Sequence, residues 1–499
     1  MLNLSKTFKE KFSLDAHIGA SIKDNRFDEL SVYGPIAGAP NIFNVVNLDK
    51  SQKKTPKTGW HEQTQSFFYS LELGWKSQLF VTTTGRNDWA SQLANSPQKS
   101  FFYPSVGVSW LPSSTFNFPE KFNYLKIRAS WASVANPFPR ELTIATHPYD
   151  DTISGWDDKS NYPIGQLYPE RRKTWELGFD ARFLHGFTLS ASWYRADTYN
   201  QTFNPNLSAS SGYSDIYIQT GHVRNTGVEA SLGYDHQWKN WNWNSQFTFS
   251  WNKNKIIELC KEWYNPITEE TITMNRLQIS KLGRAKFILK EGGSMGDLYS
   301  TTDLRRDDKG NIEIDEGGNV VVEDNLPDMK LGSVFPDYNL AWRNSVSWKN
   351  LNLGFLVTAR IGGIVNSLTQ ANMDLFGVSE ATAAARDAGG ALVNGRSLVN
   401  PETWYTAIAS QGGIPQYYTY SATNVRLQEL SLGYTIPRKW LHNICSITVS
   451  FVGRNLWMMY CKAPFDPEAV ASTNNFYQGM DYFMMPSTRN LGFNINIKF

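Results

Sequence analysis

A pentapeptide with the spacing of a catalytic serine motif lies at residues 292–296, GGSMG. It matches G-x-S-x-G, which presents a nucleophilic serine only on a sharp turn between a strand and a helix, with an acid and a histidine elsewhere in the chain. Here the residues that follow predict a strand, and His442 is the one later histidine. We therefore interpret Ser294 as part of a glycine-rich turn before a strand, and no serine-hydrolase chemistry is predicted.

Carboxylates and potential metal ligands also occur without the spacing that chemistry needs. Residues 305–325 are acidic, but the Asp and Asn spacing before Gly310 does not fit a calcium loop. The turn sequences DKGN and EGGN predict an external hairpin there instead. The 3 cysteines and 7 histidines form neither CxxC nor HExxH. We therefore predict no metal site, no cofactor, no catalytic residue and no enzymatic activity.

The clearest pattern is an alternation of side-chain type in WNWNSQFTFSWNKN, residues 241–254. A period of two indicates a β-strand, because successive side chains leave a pleated backbone on opposite faces. One face of this strand is amide and hydroxyl, and the other is aromatic. The aromatic face carries Trp241, Trp243, Phe247, Phe249 and Trp251.

About fifteen stretches of this kind recur along the 499 residues, each around ten residues long. Short polar turns alternate with long excursions rich in Gly, Pro and Asp, as in outer-membrane barrels with tight turns at one end and large external loops at the other. The sequence thus predicts an all-β fold, an antiparallel transmembrane β-barrel with long extracellular loops. The stretches start near residues 12, 64, 78, 103, 124, 172, 187, 224, 241, 294, 338, 351, 424, 445 and 491.

Composition supports a lipid-facing sheet. Aromatic residues make up 14% of the chain and charged residues 19%, while a net charge of +2 argues against nucleic-acid binding. The residues at the polar positions of the alternating stretches are mostly Asn, Gln, Ser and Thr, as expected for a hydrated lumen. A soluble sheet usually carries Lys and Glu on its solvent-exposed face. No run of apolar residues is long enough for a spanning helix or a signal peptide. A soluble, secreted all-β carbohydrate-binding protein and an all-β glycoside hydrolase remain alternatives.

Local signals within the excursions are more varied. In 362–423, SEATAAARDAG and NPETWYTAIAS predict short helices, the second with Asn400 as its N-cap and Pro401 at its first position. The parity changes near Gln428, which predicts a β-bulge. Loop aromatics are candidates for stacking on sugar rings or for contact with a lid protein. They include Trp156, Trp404, Tyr417 and Tyr418.

Nine segments, in order along nearly the whole chain, resemble the C-terminal half of the SusC/RagA-like TonB-dependent transporters of Bacteroidota outer membranes. They are GRNDWASQL, SFFYPSVGVSWLP, LKIRASWASVANP, ERRKTWELGFDARFL, RNTGVEASLGYD, KEGGSMGDLYS, FPDYNLAWRNSVSWKN, NVRLQELSLGYTIP and GRNLWMMYCKAPFDPE.

The resemblance implies a barrel of about 22 strands in the outer membrane, in contact with the lipid bilayer and lipopolysaccharide. It also implies TonB-driven import of oligosaccharides or peptides with a SusD-like surface lipoprotein. Phe499 resembles the terminal aromatic that barrel-assembly machinery reads in this class. This chain departs from the pattern at its N-terminus. We expect residues 1–499 to be the C-terminal portion of such a barrel, with plug domain, TonB box and signal peptide absent, so that TonB would act through the missing region.

Overall fold

A computed structural model describes residues 1–140, 142–143, 149–150, 155–156, 161–162, 167–203, 215–265, 269–472 and 477–499. Its main feature is one sheet of 15 strands. Each strand of this sheet pairs with the sheet strand that precedes it in the chain and with the one that follows it. All the pairings are antiparallel. The sheet is open, with β1 at one end of the order and β15 at the other.

The strands of this sheet, labelled β1 to β15 in chain order, are Leu2–Phe8, Phe12–Leu30, Lys57–Trp75, Leu79–Ala90, Phe101–Trp110, Phe122–Asn136, Glu170–Phe183, Phe187–Phe203, Ile218–Trp238, Trp241–Glu258, Tyr338–Trp348, Leu351–Ile361, Asn424–Ile436, Ser446–Cys461 and Asn490–Lys498.

The number of strands agrees with the prediction, but two errors compensate. The stretch near residue 294 is not in the large sheet, because Asp297–Ser300 pairs instead with short strands of a loop. The first strand, Leu2–Phe8, precedes the first predicted stretch, which starts near residue 12; it forms a hairpin with β2 in which Phe8 faces Phe12. Many strands are also longer than the ten residues predicted, and β9 has 21. They therefore continue beyond the thickness that a membrane needs.

The connections fall into two classes, as predicted. Turns of a few residues join β1 to β2, β3 to β4, β7 to β8, β9 to β10 and β11 to β12, and several place non-glycine residues at positive φ, such as Lys76, Lys239 and Lys349. The long connections carry small strands of their own. These are Tyr149–Asp150, Gly155–Trp156, Asn161–Tyr162, Asp215–Ile216, Cys260–Asn265, Glu270–Met274, Arg276–Leu282, Ala285–Lys290, Asp297–Ser300, Asp303–Leu304, Val322–Glu323, Met329–Ser333, Ile364–Ser367, Ala391–Val393, Ser397–Val399, Thr419–Ser421 and Met480–Asp481.

Among the described residues, four short helices lie outside the sheet: α1 Pro112–Thr115, α2 Leu368–Leu375, α3 Glu380–Asp387 and α4 Pro401–Ala409. The two predicted helices are confirmed as α3 and α4, and the Asn400 side chain accepts hydrogen bonds from the backbone N–H groups of Glu402 and Thr403. Single 3₁₀ turns occupy Val45–Asn47, Ser91–Leu93, Ser410–Gly412, Pro415–Tyr417 and Arg438–Leu441. Within the described ranges, no helix combines the length and apolar character that a membrane crossing needs.

In the described part of the chain, the dry cores lie among the long loops and the strand ends next to them. One cluster packs Phe287 and Leu298 with Leu368 and Met480, and thereby joins three different connections. We call these connections the loop body, which comprises residues 269–337, 362–423, 462–472 and 477–489. Two tight turns in it confirm the predicted hairpin: Asp307 caps the turn to Asn311, and Asp315 caps the turn to Asn319.

Candidate functional site

The register of β9, β10 and β11 sorts their side chains into two faces of opposite chemistry. Phe247 is paired with Leu232 on β9 and with Trp342 on β11, so the aromatic parity of β10 continues across the sheet. Thr248 and Ser250 belong to the other parity, whose residues are hydroxyl, amide or charged. We call these the apolar face and the polar face, and both extend over the neighbouring strands because the pairing is in register.

The apolar face is open to the surroundings. The side chains of Trp241 and Phe247 are 46% and 42% exposed, and Trp243, Phe249 and Trp251 are partly covered by their neighbours on adjoining strands. None of these five residues belongs to a buried cluster in the described part of the chain. A broad aromatic surface of this kind is stable only against another apolar medium, since water would penalise its exposure.

Several polar atoms on the apolar face of β10 and β11 are satisfied within the protein. Ser245 interrupts the aromatic parity of β10, and its hydroxyl accepts hydrogen bonds from Trp342 Nε1 at 3.0 Å and from Asn344 Nδ2 at 3.1 Å. Asn344 is buried and its Oδ1 accepts a hydrogen bond from Trp243 Nε1 at 3.1 Å. Where no water is present, polar groups must find their hydrogen-bond partners within the protein in this way.

The polar face surrounds a cavity of about 750 Å³. Residues of β6 and of β8 to β13, seven strands in all, line it together, so the sheet is concave on this side. Its wall is rich in Ser, Thr and Asn, and it carries charges of both signs. The charged residues are Arg128, Glu229, Arg360 and Glu468.

On one wall of the cavity, Arg128 is held in place by its neighbours on β7. Its Nη1 lies 2.7 Å from Asp180 Oδ2, and its Nε lies 3.7 Å from Glu176 Oε1. Ser190 on β8 donates a hydrogen bond of 2.7 Å to the other oxygen of Asp180. The guanidinium is therefore fixed before any ligand arrives, which is the arrangement that lowers the entropic cost of binding a charged group.

At the mouth of the cavity, an ion pair ties the loop body to the sheet. Arg426 on β13 donates two hydrogen bonds to Asp466, at 2.8 and 3.2 Å, and both side chains are buried. Burial alone would raise the pKa of the Asp466 carboxyl, but hydrogen bonds from Arg426 and Ser487 outweigh it and hold the pKa below its usual range. This pair positions Glu468, which lies 3.3 Å from Arg426 and also lines the cavity.

Arg360 on β12 stands at the same mouth with part of its guanidinium unused. Its Nη2 donates to the backbone carbonyl of Val334 at 2.9 Å, whereas its buried Nε has no hydrogen-bond partner among the described residues. A buried donor without a partner is costly. Arg360 also lines the cavity, so it adds a positive charge to the wall that a ligand would meet.

The predicted loop aromatics do not form a shared surface. Tyr418 is 2% exposed and donates a hydrogen bond of 3.0 Å to Asp374, so the stacking role predicted for it is not supported. Its burial raises the pKa of its phenol. Trp404 and Tyr417 are partly buried and meet edge to face, with ring centroids 5.9 Å apart. The backbone of Trp156 lies in a two-residue strand, and its side chain falls outside the described part of the structure.

Two further predicted residues lie apart from the cavity. Ser294 sits in a turn before the strand Asp297–Ser300, as predicted, and donates a hydrogen bond of 3.2 Å to Asn254. Phe499 directly follows β15 and is 91% exposed at the open edge of the sheet. Its role as an assembly signal stays a prediction.

Comparison with known proteins identifies the family to which this sheet belongs. The family model described as "TonB dependent receptor-like, beta-barrel" matches residues 2–456. The chain belongs to this family. Membership places the sheet in the outer membrane, so the apolar face is its lipid side and the polar face its lumen side. The suspected resemblance and the fold class are confirmed.

Two curated relatives come from Formosa agariphila. "TonB-dependent receptor P3" is 26% identical over an alignment that covers 100% of this chain and 52% of the relative. "TonB-dependent receptor P26" is 22% identical over 94% of this chain and 50% of the relative. The chain therefore spans about half the length of the curated relatives it matches.

Solved structures show the same relation. The structure of the RagAB peptide importer in the closed-closed state matches 100% of this chain and 55% of that chain, with a TM-score of 0.77 and 18% identity. The structure of the RagAB peptide transporter matches 100% and 54%, with a TM-score of 0.74 and 17% identity. At these identities the likeness establishes the fold.

Sequence reasoning missed the charged residues of the cavity as a group. Arg360 and Glu468 are 108 positions apart and gave no shared local signal. The usable signal was parity itself, because a charged residue on the polar parity of a barrel strand faces the lumen.

Proposed function

We propose that this chain is the distal part of the barrel of a TonB-dependent importer that takes up short peptides, with oligosaccharides as the second candidate class. The cavity on the polar face carries this proposal. Its wall presents Arg128 and Arg360 beside Glu229 and Glu468, a mixture of charges that suits a ligand with both an amine and a carboxylate.

The cavity is less suited to a neutral sugar. Saccharides are usually held by aromatic rings that stack on their apolar faces, and Phe249 is the one aromatic residue among the described residues that line this cavity. Phe249 belongs to the apolar parity of β10, so its ring points away from the lumen. The RagAB structures are of a peptide importer and a peptide transporter, which supports the same substrate class.

Energy coupling and closure would be supplied by partners. In this proposal TonB acts through segments outside this chain, and a SusD-like lipoprotein covers the loop body. The outer surface of the loop body favours a lid of this kind, because it exposes apolar side chains whose contact with water is unfavourable and which a partner protein would cover. These side chains include Phe376, Val378, Leu392, Leu398 and Met485.

Binding to the protein purified at its natural length from outer membranes would test the substrate class. We expect defined oligopeptides to bind and neutral oligosaccharides to bind at least about tenfold more weakly. Glu229→Gln should weaken peptide binding by about tenfold, because it removes a charge-assisted hydrogen bond without changing side-chain shape. Glu72→Gln is the matched control, since Glu72 lies on the polar face but away from the cavity.

Two results would contradict the proposal. Equal effects of Glu229→Gln and Glu72→Gln would show that the cavity does not contact the ligand. Binding of oligosaccharides with no binding of peptides would leave the transporter assignment intact and reverse the substrate class.

A further inference from the structure

The apolar face changes character towards the long loops on strands β7 to β10. One aromatic row crosses the paired residues Leu177, Trp193, Val228 and Trp251. In the rows beyond it, which begin roughly 7 Å further along, six side chains on the same face are basic, beside Trp175, Thr226 and Tyr199. We call this set the basic patch; it comprises Arg171, Lys173, Arg195, Arg224, Lys253 and Lys255.

The strand pairing makes the basic patch continuous across four strands. Lys173 is paired with Asp197, Asp197 with Arg224, and Arg224 with Lys255, so these residues form one row across the sheet. Adjacent strands lie about 4.8 Å apart, which gives the row a width of roughly 14 Å.

A single carboxylate organises the centre of the basic patch. Asp197 is buried and accepts hydrogen bonds from Arg195 at 2.9 Å and from Arg224 and His222 at 2.7 Å. One acid among six bases leaves a strong excess of positive charge. Lys173, Lys253 and Lys255 are exposed around this centre and have no hydrogen bond or ion pair with the described residues.

The position of the basic patch indicates what covers it. It lies on the lipid side of the sheet rather than on the lumen side, and it is next to the aromatic row that marks the membrane boundary. It also lies at the end of the strands that carries the long loops, which is the outer leaflet side in this family. On β11 and β12 the aromatic row continues as Tyr338 and Ile361, where the described strands have no basic residue on this face.

We propose that the basic patch is a binding site for the phosphate-bearing head group of an outer-leaflet lipid. Arginine and lysine are the side chains that bind phosphate oxygens most strongly, and the exposed lysines can reach a head group seated on the Arg195–Asp197–Arg224 centre. Acyl chains of the same lipid would then lie along the aromatic row beneath. The inference depends on the membrane location and is independent of peptide transport.

The test compares two triple variants of the protein purified at its natural length in mild detergent. Lys173→Gln with Lys253→Gln and Lys255→Gln removes the three exposed charges of the basic patch and spares the pairs around Asp197. Lys76→Gln with Lys239→Gln and Lys349→Gln removes three exposed charges from short turns at the opposite rim. The probe is purified lipid A in its diphosphorylated form and in its dephosphorylated form, and the readout is bound lipid by native mass spectrometry.

We expect the first variant to bind diphosphorylated lipid A about tenfold or more weakly than the unchanged protein, since each basic residue near an anionic surface contributes appreciably to attraction. The second variant should bind it as the unchanged protein does, and the dephosphorylated lipid should bind weakly to all three. Equal binding by both variants, or equal binding of both lipid forms, would overturn the site. Loss of a co-purified lipoprotein with lipid binding unchanged would also overturn it and assign the basic patch to a protein partner. Unchanged resistance of the first variant to thermal unfolding would exclude misfolding as the cause.

Discussion

Two phenylalanines, each in a β-strand, have opposite surroundings. Phe287 in the loop body is 0% exposed, enclosed by Leu298, Val334 and Met480. Phe247 in β10 is 42% exposed on the apolar face. The loop body therefore folds as a water-soluble protein does, around a dry interior, whereas the sheet places its apolar residues outward and relies on lipid to cover them. The two regions of this chain therefore bury their apolar residues in different media: the protein interior in the loop body and lipid at the sheet.

The largest expected effect comes from removing a ring that the protein itself encloses. Phe287→Ala should lower the stability of the loop body by about 3–5 kcal/mol, because neighbouring side chains cannot fully close the cavity that remains. Hydrogen exchange of the strands Ala285–Lys290 and Asp297–Ser300 would measure this local change.

Phe247→Ala is the matched control for that experiment. Lipid chains can fill the space left on the apolar face, so the cost should be well below that of Phe287→Ala. Comparable losses at the two positions would mean that the apolar face is packed against protein, and the contrast between the two regions would fail.

A charge placed on each side of one strand sharpens the comparison further. Phe247→Arg puts a guanidinium into the middle of the lipid side and should destabilise the folded barrel by about 2–4 kcal/mol. Gln246→Arg, one residue earlier on the polar face, should cost far less because the lumen is hydrated. Unfolding in denaturant, followed by Trp fluorescence in lipid vesicles, would give both values, and equal costs would reverse the assignment of the two faces.

The strand framework was predictable because a period of two depends on neighbouring residues alone. The alternation in β10, the bulge at Gln428 and the cap at Asn400 are all local signals, and the structure confirms each. The hairpin of β1 and β2 was missed because Leu2–Phe8 is short and Lys6 interrupts its apolar parity. In the loop body the decisive contacts are distant in sequence: Tyr418 meets Asp374 across 44 positions, which no local pattern reveals.

An intermediate effect is expected from acid, and it should separate the loop body from the sheet. Asp328 lies in the loop body and accepts hydrogen bonds from Arg276 at 2.5 and 2.8 Å, with Lys290 at 3.0 Å. The hydrogen bonds from Arg276, aided by Lys290, hold the pKa of this carboxyl far below its usual range. Because the pKa in the folded state is the lower one, the stabilisation is complete above the unfolded pKa of about 4 and is lost as pH falls towards the folded value.

Asp328→Asn should therefore reduce loop-body stability at neutral pH by about 2 kcal/mol and flatten its dependence on pH below about 4. Asp308→Asn changes an exposed carboxylate in the same connection and should leave the pH profile unchanged. Hydrogen exchange of Arg276–Leu282 as a function of pH would measure both variants. A profile for Asp328→Asn as steep as that of the unchanged protein would show that other carboxylates control the acid response.

The smallest effect tests whether the loop body has the local energetics of an ordinary water-soluble domain. Asn400→Ala removes the side-chain oxygen that accepts from the N–H groups of Glu402 and Thr403, and it should destabilise α4 by about 1 kcal/mol. Asn400→Asp preserves an acceptor and adds a negative charge at the positive end of the helix, so stability should be retained or slightly raised. Exchange of the α4 amides would register the difference. If Asn400→Ala left exchange unchanged, α4 would be held in place by its packing of Ile408 and Trp404 against the loop body rather than by its cap.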